Sequence, residues 1–148
     1  MSLSSGNLLV ILSEAEAPDA KDMAGSALYR HNVEQTGIAD RRPIAAIATD
    51  PATDEIVGGL WGRTELGLLF LDMFFLPEAA RGQSVGGRLL CLVETEAKRR
   101  GCQHSVVETS TFQAPSFYLR HGYDEFGRVP FTAPGAARVF LRKRLAQI

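Results

Sequence analysis

The chain has 148 residues, 45% hydrophobic and 22% charged, with a formal net charge of −1, which places it among ordinary one-domain globular proteins. So even a balance supplies no positive field and excludes a general nucleic-acid binder. No apolar run approaches the roughly 20 residues that span a bilayer, and two cysteines, Cys91 and Cys102, are too few for a disulfide framework or zinc site; no membrane or metal partner is expected.

In chain order, Met1–Ser5 lacks the basic-then-apolar pattern of a signal segment, so a cytoplasmic location is expected. Asn7–Leu12 reads as a first strand. Pro18 and Asp19 open a helix to about Gln35, with Met23, Ala27, Leu28 and His31 on one face and Gly37 as its stop. His31 reads as an ordinary helix histidine without metal-ligand spacing. Pro43–Thr49 and Glu55–Thr64 flank the turn residues Asp50–Asp54 and read as a hairpin. Gly58, Gly59 and Gly62 within it mark a bulge or a close backbone approach. The run Leu68–Leu76 has the aromatic and apolar content of a strand enclosed on both faces. Asp72 interrupts it, and a carboxylate among apolar neighbours implies a partner, with Arg63 a candidate, or a function.

The glycine-rich turn Arg81-Gly-Gln-Ser-Val-Gly-Gly87 follows, then a helix with Leu89, Leu90, Val93 and Ala97 on one face. Acid-before-base pairs Glu94/Lys98 and Glu96/Arg100, basic residues at its end and Gly101 beyond it complete the helical pattern, with Cys91 packed in the helix and Cys102 just past it as reduced thiols. Glycines at such a helix start let backbone N–H groups approach a phosphate. The turn is neither a P-loop nor a Gly-x-Gly-x-x-Gly fingerprint. Gln103–Ser110 should return as a strand parallel to Leu68–Leu76. Ala114–His121 reads as a short helix, Tyr123–Arg128 and Ala137–Leu145 as strands, and Pro130–Gly135 as an apolar loop. Arg142-Lys143-Arg144 reads as solvated charge.

Arg81-Gly82-Gln83-Ser84-Val85-Gly86 resembles the acyl-CoA signature of the GNAT superfamily of N-acetyltransferases, Gln/Arg-x-x-Gly-x-Gly/Ala, with Ser84 in place of the middle glycine. Ala114-Pro-Ser-Phe117-Tyr118-Leu-Arg-His-Gly122-Tyr123 is similar to the family's second landmark. The resemblance implies a mixed α/β GNAT fold, one domain over residues 1–148, whose central mixed antiparallel and parallel sheet carries a splayed parallel strand pair and is flanked by helices. It also implies acetyl-CoA as cosubstrate, bound by Phe74, Phe75, Leu76, Arg81, Gly82, Gln83, Ser84, Val85, Gly86, Gly87 and Thr111. Tyr118 would protonate the leaving sulfur. Asp72 is a candidate base, with Glu108 second; some relatives carry a glutamate where this chain has Phe70.

The implied activity is transfer of an acetyl group to a primary amine on a small-molecule or peptide acceptor, by direct attack in a ternary complex. Tyr29, His31, Asn32, Glu34 and the 130–135 loop would lie near the acceptor, and a homodimer is compatible with the family. The rival reading is a non-catalytic acyl-CoA-binding regulatory module. A Rossmann-like nucleotide binder is disfavoured because the glycine turn follows several strands.

Overall fold

The computed structural model describes residues 6–145; the signal-segment reading at Met1–Ser5 lies outside them. The chain divides into two units, residues 1–39 and 40–148. In the first, helix α1 spans Pro18–Thr36, starts with proline in its first turn and stops at Gly37, whose φ of 73° lets its N–H reach Val33 O. No residue of α1 is fully buried. The half-buried positions are Tyr29, Asn32 and Val33, not the expected Met23, Ala27, Leu28 and His31. The expected strand at Asn7–Leu12 is absent: Leu9, Val10 and Leu12 are over 90% exposed, and a strand forms only where a neighbour takes up its backbone groups.

The second unit is a six-stranded mixed sheet in the order β1-β2-β3-β4-β6-β5. Its strands are β1 Arg42–Thr49, β2 Ile56–Glu65, β3 Leu68–Phe75, β4 His104–Ser110, β5 Asp124–Pro130 and β6 Ala137–Arg144, with helix α2 at Val85–Arg99 and α3 at Pro115–Arg120. Strands β1, β2 and β3 form an antiparallel meander. Asp50 organises the first hairpin, its carboxylate accepting from Ala52 N–H at 2.9 Å. Leu66 (φ 54°) and Gly67 (φ 76°) make the two-residue turn of the second. A Cβ on Gly62 would lie 2.3 Å from Phe70 O, so the glycine marks the close backbone approach expected of it.

The core lies under α2: Leu89, Leu90, Val93 and Ala97 face Ile44, Leu60, Leu69 and Leu71 of the sheet. Glu94 joins this buried face. Its expected pairing with Lys98 is replaced by a buried network, in which Tyr123 donates to Glu94 Oε2 at 2.8 Å, Lys143 donates to Oε1 at 2.8 Å, and Ser105 Oγ lies 2.7 Å from the Tyr123 hydroxyl. Glu94 sits on the apolar stripe of α2, one turn from Leu90, so its carboxylate is buried where Tyr123 and Lys143 reach it. Lys143 is thereby drawn inward, against the expectation that the 142–144 run is solvated. Cys91 is exposed instead of packed, whereas Cys102 is buried.

Candidate active site

Strand β3 runs parallel to β4 only from Leu68/His104 to Leu71/Val107; beyond that pair the two separate. Their divergence coincides with a bulge. Trp61 opposes Met73 while Gly62 opposes Leu71, so Asp72 is an extra residue with no partner on β2. Past the bulge Phe74 turns onto the core and Phe75 is 54% exposed. The β4-facing backbone edge of β3 beyond Leu71 therefore has no neighbouring strand, as the splayed pair requires.

This gap opens a crevice of about 820 Å3. It is lined by Phe74, Phe75 and Leu76 from β3 and the residue after it, by Arg81, Gly82, Ser84, Val85, Gly86 and Gly87 from the glycine turn, and by Tyr118 and His121 from α3 and its end. Asp72 and Glu108 also line it. Gln83 and Thr111 of the expected set do not. Gln83 Nε2 turns back to Ala79 O at 3.4 Å, and the Thr111 hydroxyl accepts from Ala137 N–H at 3.1 Å, closing the β4–β6 ladder.

The N-terminus of α2 points into the crevice without a side-chain cap. Its first intrahelical bond is Arg88 N–H to Ser84 O at 3.1 Å, leaving the N–H groups of Val85, Gly86 and Gly87 without an intrahelical acceptor. Ser84 itself adopts φ 63°, ψ 15°, so the position where the signature has glycine keeps the left-handed backbone despite its Cβ. The later glycines answer to side-chain packing. A Cβ on Gly86 would come within 3.1 Å of both Phe117 and Phe74, and one on Gly87 within 3.1 Å of His121 Nε2.

Tyr118 is 5% exposed and stands among Phe74, Phe117 and Tyr123 in edge-on contacts. Burial alone pushes its hydroxyl up to about 12, with no hydrogen-bond partner contributing. Tyr123 is raised further, by burial and then by the Glu94 charge, and its hydroxyl is committed to Ser105 and Glu94. Tyr118 is therefore the tyrosine with an uncommitted, neutral hydroxyl at the crevice.

The two carboxylates are each held by an arginine. Arg63 Nη1 lies 2.7 Å from Asp72 Oδ1, with both side chains more than 40% exposed, so the expected partnership exists but at the surface. Arg138 donates from Nε and Nη2 to Glu108 Oε1 at 3.1 and 3.0 Å. Sequence reasoning missed Arg138, His121, Phe112 and Gln113 as lining residues. The alternation of β6 places Arg138 out of the core, but no local pattern announces that it meets β4.

The fold has known counterparts. Residues 39–125 match the family model of the acetyltransferase (GNAT) domain. An acetyltransferase of Agrobacterium fabrum is 31% identical over 135 residues, covering 90% of this chain and 97% of the relative. Blasticidin-S acetyltransferase of Streptomyces morookaense is 35% identical over 116 residues, covering 76% and 85%. The crystal structure of a protein of Agrobacterium tumefaciens assigned as an acetyltransferase superposes with a TM-score of 0.85 at 29% identity, over 93% of this chain and 99% of that one. The chain belongs to the GNAT acetyltransferases.

Proposed function

We propose that the protein transfers an acetyl group from acetyl-CoA to a primary amine of a small molecule. The observation that carries this reading is the unpaired β3 edge past Leu71, lying beside the uncapped start of α2 and the uncommitted Tyr118 hydroxyl. The residues present suit acetyl-CoA. The free N–H groups of Val85, Gly86 and Gly87 suit a pyrophosphate at a helix N-terminus, with Arg81 beside them. The open edge at Phe74–Leu76 suits an amide-bearing arm that pairs as a strand does.

Acetyl-CoA would supply an activated thioester; the rest is done by this chain. A backbone N–H at Phe74 or Phe75 would oppose negative charge developing on a carbonyl oxygen. Tyr118 would donate its proton toward the departing sulfur. Its raised pKa makes it a weaker acid than tyrosine in water, but the same burial penalises a thiolate beside it and narrows the gap. Asp72 and Glu108 would orient the incoming amine, with Asp72 the candidate base. The relative that acts on blasticidin S supports a small-molecule acceptor.

The test is a titration with acetyl-CoA followed by thiol release over an amine panel, for wild type and Tyr118→Phe. Binding with turnover that falls sharply in the variant supports the reading. Binding without turnover of any amine favours the acyl-CoA-binding module, and absence of binding removes both.

A further inference from the structure

Two phenylalanines stand exposed at the rim of the crevice and face each other. Phe112 lines the crevice and is 71% exposed; Phe131, from the loop between β5 and β6, is 43% exposed, and their ring centroids lie 5.9 Å apart. Exposed aromatic rings are ordinary on frayed loops, but both of these are carried on tied ones. Gln113 Oε1 accepts from Ser110 N–H at 2.7 Å and from the Thr109 hydroxyl at 3.0 Å, pinning the turn that bears Phe112. Phe131 N–H donates to Ala136 O at 2.9 Å, and Thr111 and Ala137 join the two loops through a backbone pair at 2.9 Å. A fixed pair of apolar faces held in water keeps its surface available for a ligand.

The charge beside it has a matching form. Both Arg138 contacts to Glu108 fall on Oε1, leaving Oε2 uncommitted at the crevice.

We propose that Phe112 and Phe131 form a platform for an aromatic ring on the acceptor, while Glu108 Oε2 receives its ammonium, so that the acceptor class is an aryl or heteroaryl alkylamine. The inference rests on the amine-acceptor reading above. Ring-on-ring contact favours an aromatic over a saturated ring of the same size because the ring quadrupoles are complementary. The carboxylate attracts both alike.

The test uses 2-phenylethylamine and its saturated counterpart 2-cyclohexylethylamine as probes, their binding read by ligand-observed NMR with the full chain, with and without CoA. The expected result is that the aryl amine binds about three- to tenfold more tightly, that Phe112→Leu and Phe131→Leu bring the two probes to parity while retaining the cyclohexyl binding, and that Glu108→Gln weakens both equally. Equal affinity in the wild type, a preference that survives Phe112→Leu, or no binding of either probe at millimolar concentration overturns the proposal. Acetyl-CoA titration and thiol release on the same samples separate the two readings. If non-aromatic amines turn over while the aryl preference is missing, only the platform falls; if acetyl-CoA does not bind, the transferase reading falls on its own.

Discussion

At its C-terminal end α2 leaves little unsatisfied. Cys102 N–H returns to Ala97 O and Gly101 N–H to Lys98 O, both at 2.9 Å, with Gly101 at φ 93°. Glu96 accepts from Arg99 and Arg100, whose hydrogen bonds hold its carboxyl down to about 2. Arg100, only 13% exposed, also donates to Pro43 O and Thr64 Oγ1, fastening the helix end to β1 and β2. At the N-terminal end no side chain caps the first turn, Ser84 holds a left-handed backbone, and the donors face the crevice. One end of the helix carries stability. The other leaves its donors open to the crevice, and the same fifteen residues hold both arrangements because the two ends do not share a residue.

That division makes opposite outcomes the test. Gly86→Val, pushing a side chain into Phe74 and Phe117, should lower stability by about 3 kcal/mol and weaken CoA binding at least tenfold; urea melts and a CoA titration would register both. Arg100→Ala should lower stability by about 2 kcal/mol through its lost hydrogen bonds, with CoA affinity unchanged within twofold. A matching loss of CoA affinity in Arg100→Ala would break the comparison.

The crevice tyrosine adds a pH test. Tyr118 keeps its proton in the folded state up to about 12 but loses it near 10 when unfolded. Between those values the folded state binds more protons, so stability falls as pH rises, by about 1.4 kcal/mol per unit from Tyr118 alone. Melting temperature followed from pH 8 to pH 11.5 should be flat at first and fall above 10, with a shallower fall in Tyr118→Phe. The smallest effect is expected of Ser84→Gly. Removing the Cβ from a left-handed residue should stabilise by about 1 kcal/mol and leave CoA affinity equal or higher.

The helix and most strands were legible because their periodicities are local. Leu89, Leu90, Val93 and Ala97 sit where helical spacing requires, and the parallel return of β4 follows from chain connectivity. Asn7–Leu12 shows the limit: an apolar run signals a strand only if a partner edge exists, which the run itself does not encode. Glu94 shows another. Its place on the buried face could be read from spacing, but its partners Tyr123 and Lys143 come from distant segments. In the crevice, the glycine turn from Arg81 to Gly87 was legible in the sequence itself, and Phe74, Phe75 and Leu76 through the resemblance to the GNAT signature. At the lip, the loop bearing Phe131 was expected near the acceptor from that resemblance, whereas Phe112 and Arg138 were not legible, because their meeting depends on how β4 pairs with β6.

The bulge at Asp72 carries a consequence for insertions and deletions. Asp72 and Met73 both face outward, so the surplus residue resets the alternation and Phe74 returns to the core side opposite Leu60. Deleting Asp72 would leave Met73, Phe74 and Phe75 opposite the same residues of β2 and remove the local bend, drawing the end of β3 back toward β4 and narrowing the crevice. Replacing Asp72 changes one charge, whereas losing it changes the course of the wall.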